Sequence, residues 1–525
     1  MRCATNKQHH TRPTAGGAGE AIADCRHTLL YQMYMKWIYT LYAIMLFVEL
    51  QNVHAQQPMR LTLQEAVALA RTSSVEAQQA LAQLRSSYWS YRSYRADLLP
   101  EVSLSATMPS YSRSYSTYQE STGAYTYVKN DYVKSGANIN ISQNLWFTGG
   151  TLTLTSSLEY LKQLSGDRQQ RFMTLPVAIR LNQPILGVNN MKWRRRIEPL
   201  RYSEAKANFL TATEQVTMET IRLYFGLLLA QENVLTARQN FESTETLLEA
   251  GKVKRKMGQI SENELMQLEL ERLKARSTLT SYESSRRSSM YALRTHLAIE
   301  EDVDLEPVEP DMLNSMQMDY GSVLDKAMAN HSHALNIRRR QLQADYSVAQ
   351  ARGNMRKINL YAQIGYTGTD QHLGNAYGHL ASNQQVEVGL TIPLLDWGKR
   401  KGNLRVAQSD REVTKSQLRR EEQQFRQDLF VLVEQCNNQR EQLAIAMASD
   451  TLAMHRYNSS VQTFMIGRIS MLDLNDARQS KDAARQSRIS ELYRLWHYYY
   501  QLRSITLWDW ERNEPLEADF DLLCK

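Results

Sequence analysis

Proline and glycine are scarce, 11 and 22 residues of 525, which leaves room for long uninterrupted helices. Cysteine is scarcer still, at Cys3, Cys25, Cys436 and Cys524. No CxxC spacing occurs, which excludes a disulfide framework and the common zinc sites. No apolar run of transmembrane-helix length follows residue 55, so if the mature chain crosses a membrane it does so as a closed β-barrel. HExxH, GxSxG, Walker and Rossmann patterns are lacking, and the sequence offers no catalytic centre, cofactor or metal site. The formal charge of +7 is spread over the whole chain and gives no basis for a nucleic-acid partner.

The start reads as a targeting segment. Met35 and Lys36 precede the apolar run Trp37–Val48, and Val53-His54-Ala55 followed by Gln56 has the form of a cleavage site. The run is short for a ~20-residue span and is followed by Glu49, which favours an export signal over an anchor. The residues before it are polar, so residues 1–55 are expected to comprise a signal peptide and an extension, with initiation at Met33 or Met35.

What is present is alternation followed by helix. In Val386–Lys401, apolar positions from Val386 to Ile392 alternate with Glu387, Gly389 and Thr391, as in a strand with one apolar face. Pro393 then stops the ladder, Trp397 and a basic cluster follow, and no proline recurs before Pro515. Val177–Arg196 has the same order, with Pro184, Trp193 and Arg194–Arg196. Further strands are read at Val102–Ala106, Ala137–Leu145, Leu152–Leu158 and Ile358–Tyr366, with a tight turn at Asn144–Gly150. Each offers an apolar face to lipid and Ser, Asn, Thr or Glu to a lumen, at about the length a bilayer needs. Tyr111–Tyr132 is a Ser/Tyr-rich segment between the first two. Helix is read over Leu61–Leu99, from Glu198 to Gly258, from Ser261 to Ile299 and over Tyr320–Lys357. His331 and His333 read as solvent-facing rather than as metal ligands.

The chain is duplicated. Arg222, Gln231 and Asn233 match Arg426, Gln435 and Asn437 at one offset, and Gly258-Gln259-Ile260-Ser261 matches Gly467-Arg468-Ile469-Ser470 at a second. Arg276 and Arg294 meet Arg485 and Arg503 at that second offset. Ser261 with Glu264 makes a capping box at the turn of a helical hairpin. The expected organisation is a first repeat over 56–310, a second over 311–515 and a tail over 516–525. The fold class is an α+β membrane protein, with long helical hairpins beside barrel strands.

These residues resemble the TolC-like outer membrane efflux proteins. The resemblance rests on Leu61–Ala66, on Ile392–Lys399 and on Gly467–Leu474, in that order and duplicated. It implies a homotrimer that closes one β-barrel in outer-membrane lipid and one helical barrel in the periplasm. It also implies partners: a periplasmic adaptor (membrane fusion protein) and an inner-membrane RND, ABC or MFS transporter. The family usually contributes four strands per chain, whereas six candidates are read here, so either the barrel is wider or one hairpin lies outside it. The other reading is a periplasmic coiled-coil scaffold whose strands form a soluble sandwich.

By the same resemblance the hairpin tips, with Gly258, Ile260, Ser261, Glu264, Leu265, Gly467, Ile469, Ser470 and Leu474, dock the adaptor. Asp473 and Asp476 match aspartates of a tip constriction, Phe464 stands where a gating tyrosine is often found, and Arg468 sits beside a gating arginine's place. The i, i+3 spacing puts both carboxylates on one helix face. Three copies would make a cation-favouring ring.

Overall fold

The computed structural model describes residues 59–166, 168–299, 303–313, 317–355, 357–391 and 395–524. The targeting segment and Pro393 lie outside them. In chain order the elements are β1 (Met59–Leu61), α1 (Leu63–Ser73), α2 (Val75–Ala96), β2 (Glu101–Gln119), β3 (Tyr125–Leu145), β4 (Gly150–Gln163) and β5 (Gln170–Leu186). The first hairpin, α3 (Asn190–Lys256) and α4 (Glu262–Leu297), and the short β6 (Leu305–Pro307) complete the first half. The second half contains α5 (Tyr320–Asn330), α6 (Ser332–Gly353), β7 (Lys357–Asp370), α7 (Leu373–Gly378), β8 (Leu380–Thr391), α8 (Lys399–Met465) and α9 (Met471–Thr506). It ends in β9 (Trp508–Asp509), β10 (Glu514–Pro515) and α10 (Phe520–Cys524).

Helix lengths repeat between the halves. α1 and α5 have 11 residues each, α2 and α6 have 22, α3 and α8 have 67, and α4 and α9 have 36. At 1.5 Å per residue the long helices span about 100 Å. Each is covered towards the tip by its hairpin partner and at the other end by the shorter helices of its half. No single globular core results. Apolar clusters form along the bundle instead, the largest around Ile221, Tyr224, Leu227, Leu293 and Leu297. There the Tyr224 hydroxyl donates to the Leu61 carbonyl at 2.8 Å and accepts from the Val308 N–H at 3.0 Å.

Three expectations on the helices are corrected. Leu61–Leu99 is not one helix: Leu61 lies in β1, and the chain breaks at Ser74, which is extended and accepts from the Ala77 N–H to cap α2. Tyr320–Lys357 breaks likewise at His331, and Lys357 opens a strand. α3 begins at Asn190 rather than Glu198, capped by Asn189, and carries Pro199 in its interior. Pro184 lies inside its strand, as in the reading of Val177–Ile185, and pairs with Asn359 where the register shifts before Leu186; Pro176 falls within the β5 shift between Thr174 and Val177. A shifted register is where a residue without an N–H is tolerated.

All six long strands form one antiparallel sheet in the order β2-β3-β4-β5-β7-β8. Tyr111–Tyr132 is strand and hairpin, not a connecting segment, because its cross-strand pairs run without a break from Tyr111↔Val133 to Gln119↔Tyr125. The register separates two faces. One row crosses the sheet as Val102, Ile141, Leu154, Ile179 and Ile364 and ends at Gln384 on β8. The row behind it is Ser103, Asn140, Thr155, Ala178, Gly365 and Asn383. The apolar face is uncovered: Val102, Leu154, Ile179, Ile364 and Val386 are 38–73% exposed, and Ile141 is half-buried. Across the polar face, Arg180 donates to Gln363 at 2.9 Å and Thr155 to Asn140 at 2.9 Å. Among the described residues no helix is long and apolar enough to cross a membrane.

Candidate functional site

Both hairpins turn by the same chemistry. α3 ends with Gly258 at φ 72°, where the Gly258 N–H donates to Arg255 O and the Gln259 N–H to Lys254 O. α8 ends with Gly467 at φ 76°, with Gly467 N–H on Phe464 O and Arg468 N–H on Thr463 O. This paired bonding satisfies the last carbonyls and needs a left-handed residue, which glycine adopts without a Cβ penalty. The returning helices start on capping boxes, Ser261 with Glu264 and Ser470 with Asp473.

The two aspartates are therefore engaged differently. Asp473 accepts from the Ser470 hydroxyl at 2.7 Å and its N–H at 3.1 Å, and these bonds hold its carboxyl below the usual carboxylate range. Asp476 is exposed and pairs with Arg456 at 2.5 Å. Phe464 and Ile469 pack against a tip cluster of Leu247, Leu248, Leu268, Tyr457, Leu474 and Ala477, with Leu265 beside them. Leu474, only 2% exposed, and these neighbours face the chain's own interior, whereas Met257, Ile466 and Leu472 carry the exposed apolar surface, at 66%, 66% and 78%. Gly258, Ser261, Glu264, Gly467, Arg468 and Ser470 are exposed and Ile260 is half-buried.

A polar seam, not legible beforehand, joins the hairpins. Arg478 of α9 meets Glu271 of α4 at 2.8 Å, Lys481 donates to Asn240 at 3.0 Å, Arg485 reaches Glu232 at 3.2 Å, and Gln486 donates to Asn233 at 3.0 Å. At the tip Lys254 donates to the Met465 carbonyl at 2.7 Å. The repeat had singled out Arg485 and Arg503 without their partners. Arg503 lies 3.3 Å from the buried Glu214, which also takes Arg71 at 2.7 Å, and 2.7 Å from Asp509. Burial pushes the Glu214 carboxyl up against the pull of both arginines.

At the other end of α3 and α8, where strand gives way to helix, aromatic and basic groups gather. Trp193 lies 5.7 Å from Tyr346, Arg195 stacks over Trp146 at 4.0 Å, and Arg194 pairs with Asp97 at 2.8 Å. Trp397 is left-handed at φ 51° and 89% exposed, beside Asp396, which accepts from the Gly398 and Arg400 N–H groups. His331 and His333 are not solvent-facing: both stack on Phe425, with ring centroids 5.8 and 4.5 Å away. His331 Nδ1 accepts the His333 N–H at 3.1 Å as the cap of α6. Burial, then His333, lowers its pKa to about 4.

Among known proteins, residues 324–506 match the model of the outer membrane efflux protein family. No curated protein matches the chain. Solved structures with the same fold include the Campylobacter jejuni CmeC outer membrane channel, at a TM-score of 0.62 and 16% identity, covering 88% of each chain. The Vibrio cholerae outer membrane protein VceC gives 0.60 and 15%, covering 87% of this chain and 97% of its own. The open state of the Neisseria gonorrhoeae MtrE outer membrane channel gives 0.58 and 16%, covering 85% and 88%. Residues 324–506 thus carry the sequence pattern of the outer membrane efflux protein family, and the chain has the fold of such channels over most of its length.

Proposed function

We propose that this chain is the outer-membrane exit duct of an efflux or secretion assembly, a passive conduit whose helical tips open when periplasmic and inner-membrane partners engage them. The observation that carries this reading is the single sheet with an uncovered apolar face and a polar reverse, continuous with two hairpins about 100 Å long. An apolar sheet face of that extent in water is an aggregation liability; in a bilayer it is the lipid surface of a barrel. The soluble scaffold leaves that face without a cover. Trp146, Trp193, Trp397 and the basic clusters lie at the junction where the headgroup layer would fall, and suit it.

Further copies are needed, because six strands end in two open edges and each hairpin leaves apolar side chains uncovered, and the resemblance sets their number at three. Within the trimer Met257, Ile466 and Leu472 are the surface offered to the adaptor. Phe464 and Arg468 stand where the bundle narrows, and Asp473 and Asp476 on one face of α9 supply six carboxylates to the axis. In this arrangement Arg456 neutralises Asp476 at rest. Reversal-potential measurements test the ring: Asp473→Asn/Asp476→Asn lowers cation preference and Arg456→Ala raises it, whereas no change in either variant removes the aspartates from the gate. Cell fractionation tests the whole reading. Recovery with outer membrane in a heat-modifiable form is expected, and release as soluble periplasmic protein would favour the scaffold.

A further inference from the structure

We infer that all six strands of each chain enter the barrel, so that three copies close an eighteen-stranded barrel by pairing the free edge of β2 with the free edge of β8 in the neighbouring copy. This rests on the trimeric duct proposed above and goes beyond it, since four strands per chain would make a barrel of twelve.

Three observations carry it. First, the apolar row does not stop at β4: Val102 on β2 and Ile141 on β3 continue the line of Leu154, Ile179 and Ile364 at matching register. A hairpin lying outside the barrel would have no reason to keep the lipid-facing alternation in phase with the rest. Second, the two edges suit one another. Val102 and Leu104 on β2 are 67% and 71% exposed, and Val386 and Val388 on β8 are 73% and 61% exposed. Third, the directions agree. β2 leaves the helical end of the sheet after α2 and β8 returns to it before α8. Placed side by side in neighbouring copies they run antiparallel, as every other pair in the sheet does.

The occupant of each edge is thus a second copy of this chain. Backbone groups exposed at β2 and β8 would be unsatisfied in hydrocarbon, and closure pairs them. Barrel diameter grows about linearly with strand number, so the lumen is about 1.5 times as wide as a twelve-stranded one. With strands about 4.8 Å apart and tilted about 40°, the backbone cylinder is about 36 Å across. Neutral Ser, Asn, Thr and Gln side chains dominate the polar face where it would line this lumen. Beyond Tyr132↔Gln163 β3 has no partner in β4, so its residues 125–131 and the end of β2 run on as a two-stranded ribbon past the β4 edge.

Cysteine pairs test this in membrane-embedded protein whose own cysteines are replaced by serine. Ser103, Ser105 and Thr107 on β2 are each paired with Ala381, Asn383, Gln385 and Glu387 on β8 and oxidised. The inference expects covalent dimers and trimers, and reactive pairs that share one sum of residue numbers, as an antiparallel register requires. Ser105→Cys/Asn138→Cys, opposite one another within one chain, is the control for a folded sheet. If the control closes but β8 links instead to Thr153→Cys, Thr155→Cys or Ser157→Cys of β4, or to nothing, the eighteen-stranded barrel is overturned. The mass of the detergent-solubilised complex is read in parallel: a trimer without β2–β8 links rejects this inference alone, and a monomer rejects the trimeric duct itself.

Discussion

Single side chains decide where the long helical tracts break and turn. Ser74 and His331 stand at the same joint of the two halves, each capping a 22-residue helix. They do so with different chemistry: a hydroxyl is indifferent to pH, whereas His331 caps only while Nδ1 is unprotonated. Its folded pKa of about 4 lies below the ordinary value of 6.5. Stability from this group is therefore full above about pH 6.5 and falls as the pH drops towards 4, by on the order of 3 kcal/mol. Near it, His333 faces Glu421, Glu422 and Arg340, so the two histidines titrate in company. His331→Ser, which installs the residue of the first half, is expected to flatten the melting temperature between pH 6.5 and 4. An unchanged slope would mean that another group carries the acid sensitivity. At the tips, Ser470→Ala removes the cap of α9 at a cost of about 1 kcal/mol. Amide exchange at residues 471–474 should then quicken about fivefold. A residue reading of the sequence found the first tip box because Ser261 and Glu264 are three residues apart, and the repeat carries it to Ser470 and Asp473. It missed Ser74 and His331 because neither proline nor glycine marks the break and the helical pattern resumes at once.

Elements are held together by contacts whose partners lie far apart in the chain. Arg71 of α1, Glu214 of α3, Arg503 of α9 and Asp509 of β9 form one ion-pair cluster at the level where the short helices meet the long ones. Glu214 is 3% exposed, so Glu214→Ala leaves two guanidinium groups poorly compensated. Removal of one partner from a buried pair costs about 3–5 kcal/mol. Urea unfolding of the purified protein should show this loss, and a change under 1 kcal/mol would mean that water reaches the cluster. Nothing in local periodicity announces such a cluster, nor the seam from Arg478 to Gln486. These residues look like ordinary solvated helix faces until the hairpins are laid against each other. The seam is polar and hydrogen-bonded where the tip cluster is apolar, and polar contacts exchange for water at less cost than packed apolar surface. The hairpins should therefore part along the seam. Arg478→Ala with Lys254→Ala is expected to lengthen open dwell times without shifting the melting temperature by more than a few degrees.

Strand elements were legible where an apolar face gave period two. They were not legible over Tyr111–Tyr132, where tyrosine alternates with serine and no face is aliphatic. That segment turned strands of apparent bilayer length into β2 and β3, of 19 and 21 residues. Duplication, by contrast, survives at low local similarity because it is a match of lengths as well as of letters: the two long helices are both 67 residues and the two returning helices both 36.

At the scale of the whole molecule, one chain has the parts of a conduit but not its closure. The sheet has two open edges, its apolar face lacks a cover, and the hairpins expose Met257, Ile466 and Leu472 at their ends. The proposed assembly, with further copies, a bilayer and a tip-binding partner, would remove all three deficits. The six-stranded sheet would give the proposed assembly a width of its own. The most direct test is the conductance of the purified, folded trimer in planar lipid bilayers. Discrete, cation-preferring steps are predicted, with longer openings when Lys254 and Arg478 are replaced. Absence of conductance from protein shown to be folded and trimeric in the same preparation would contradict the account of this chain as a channel.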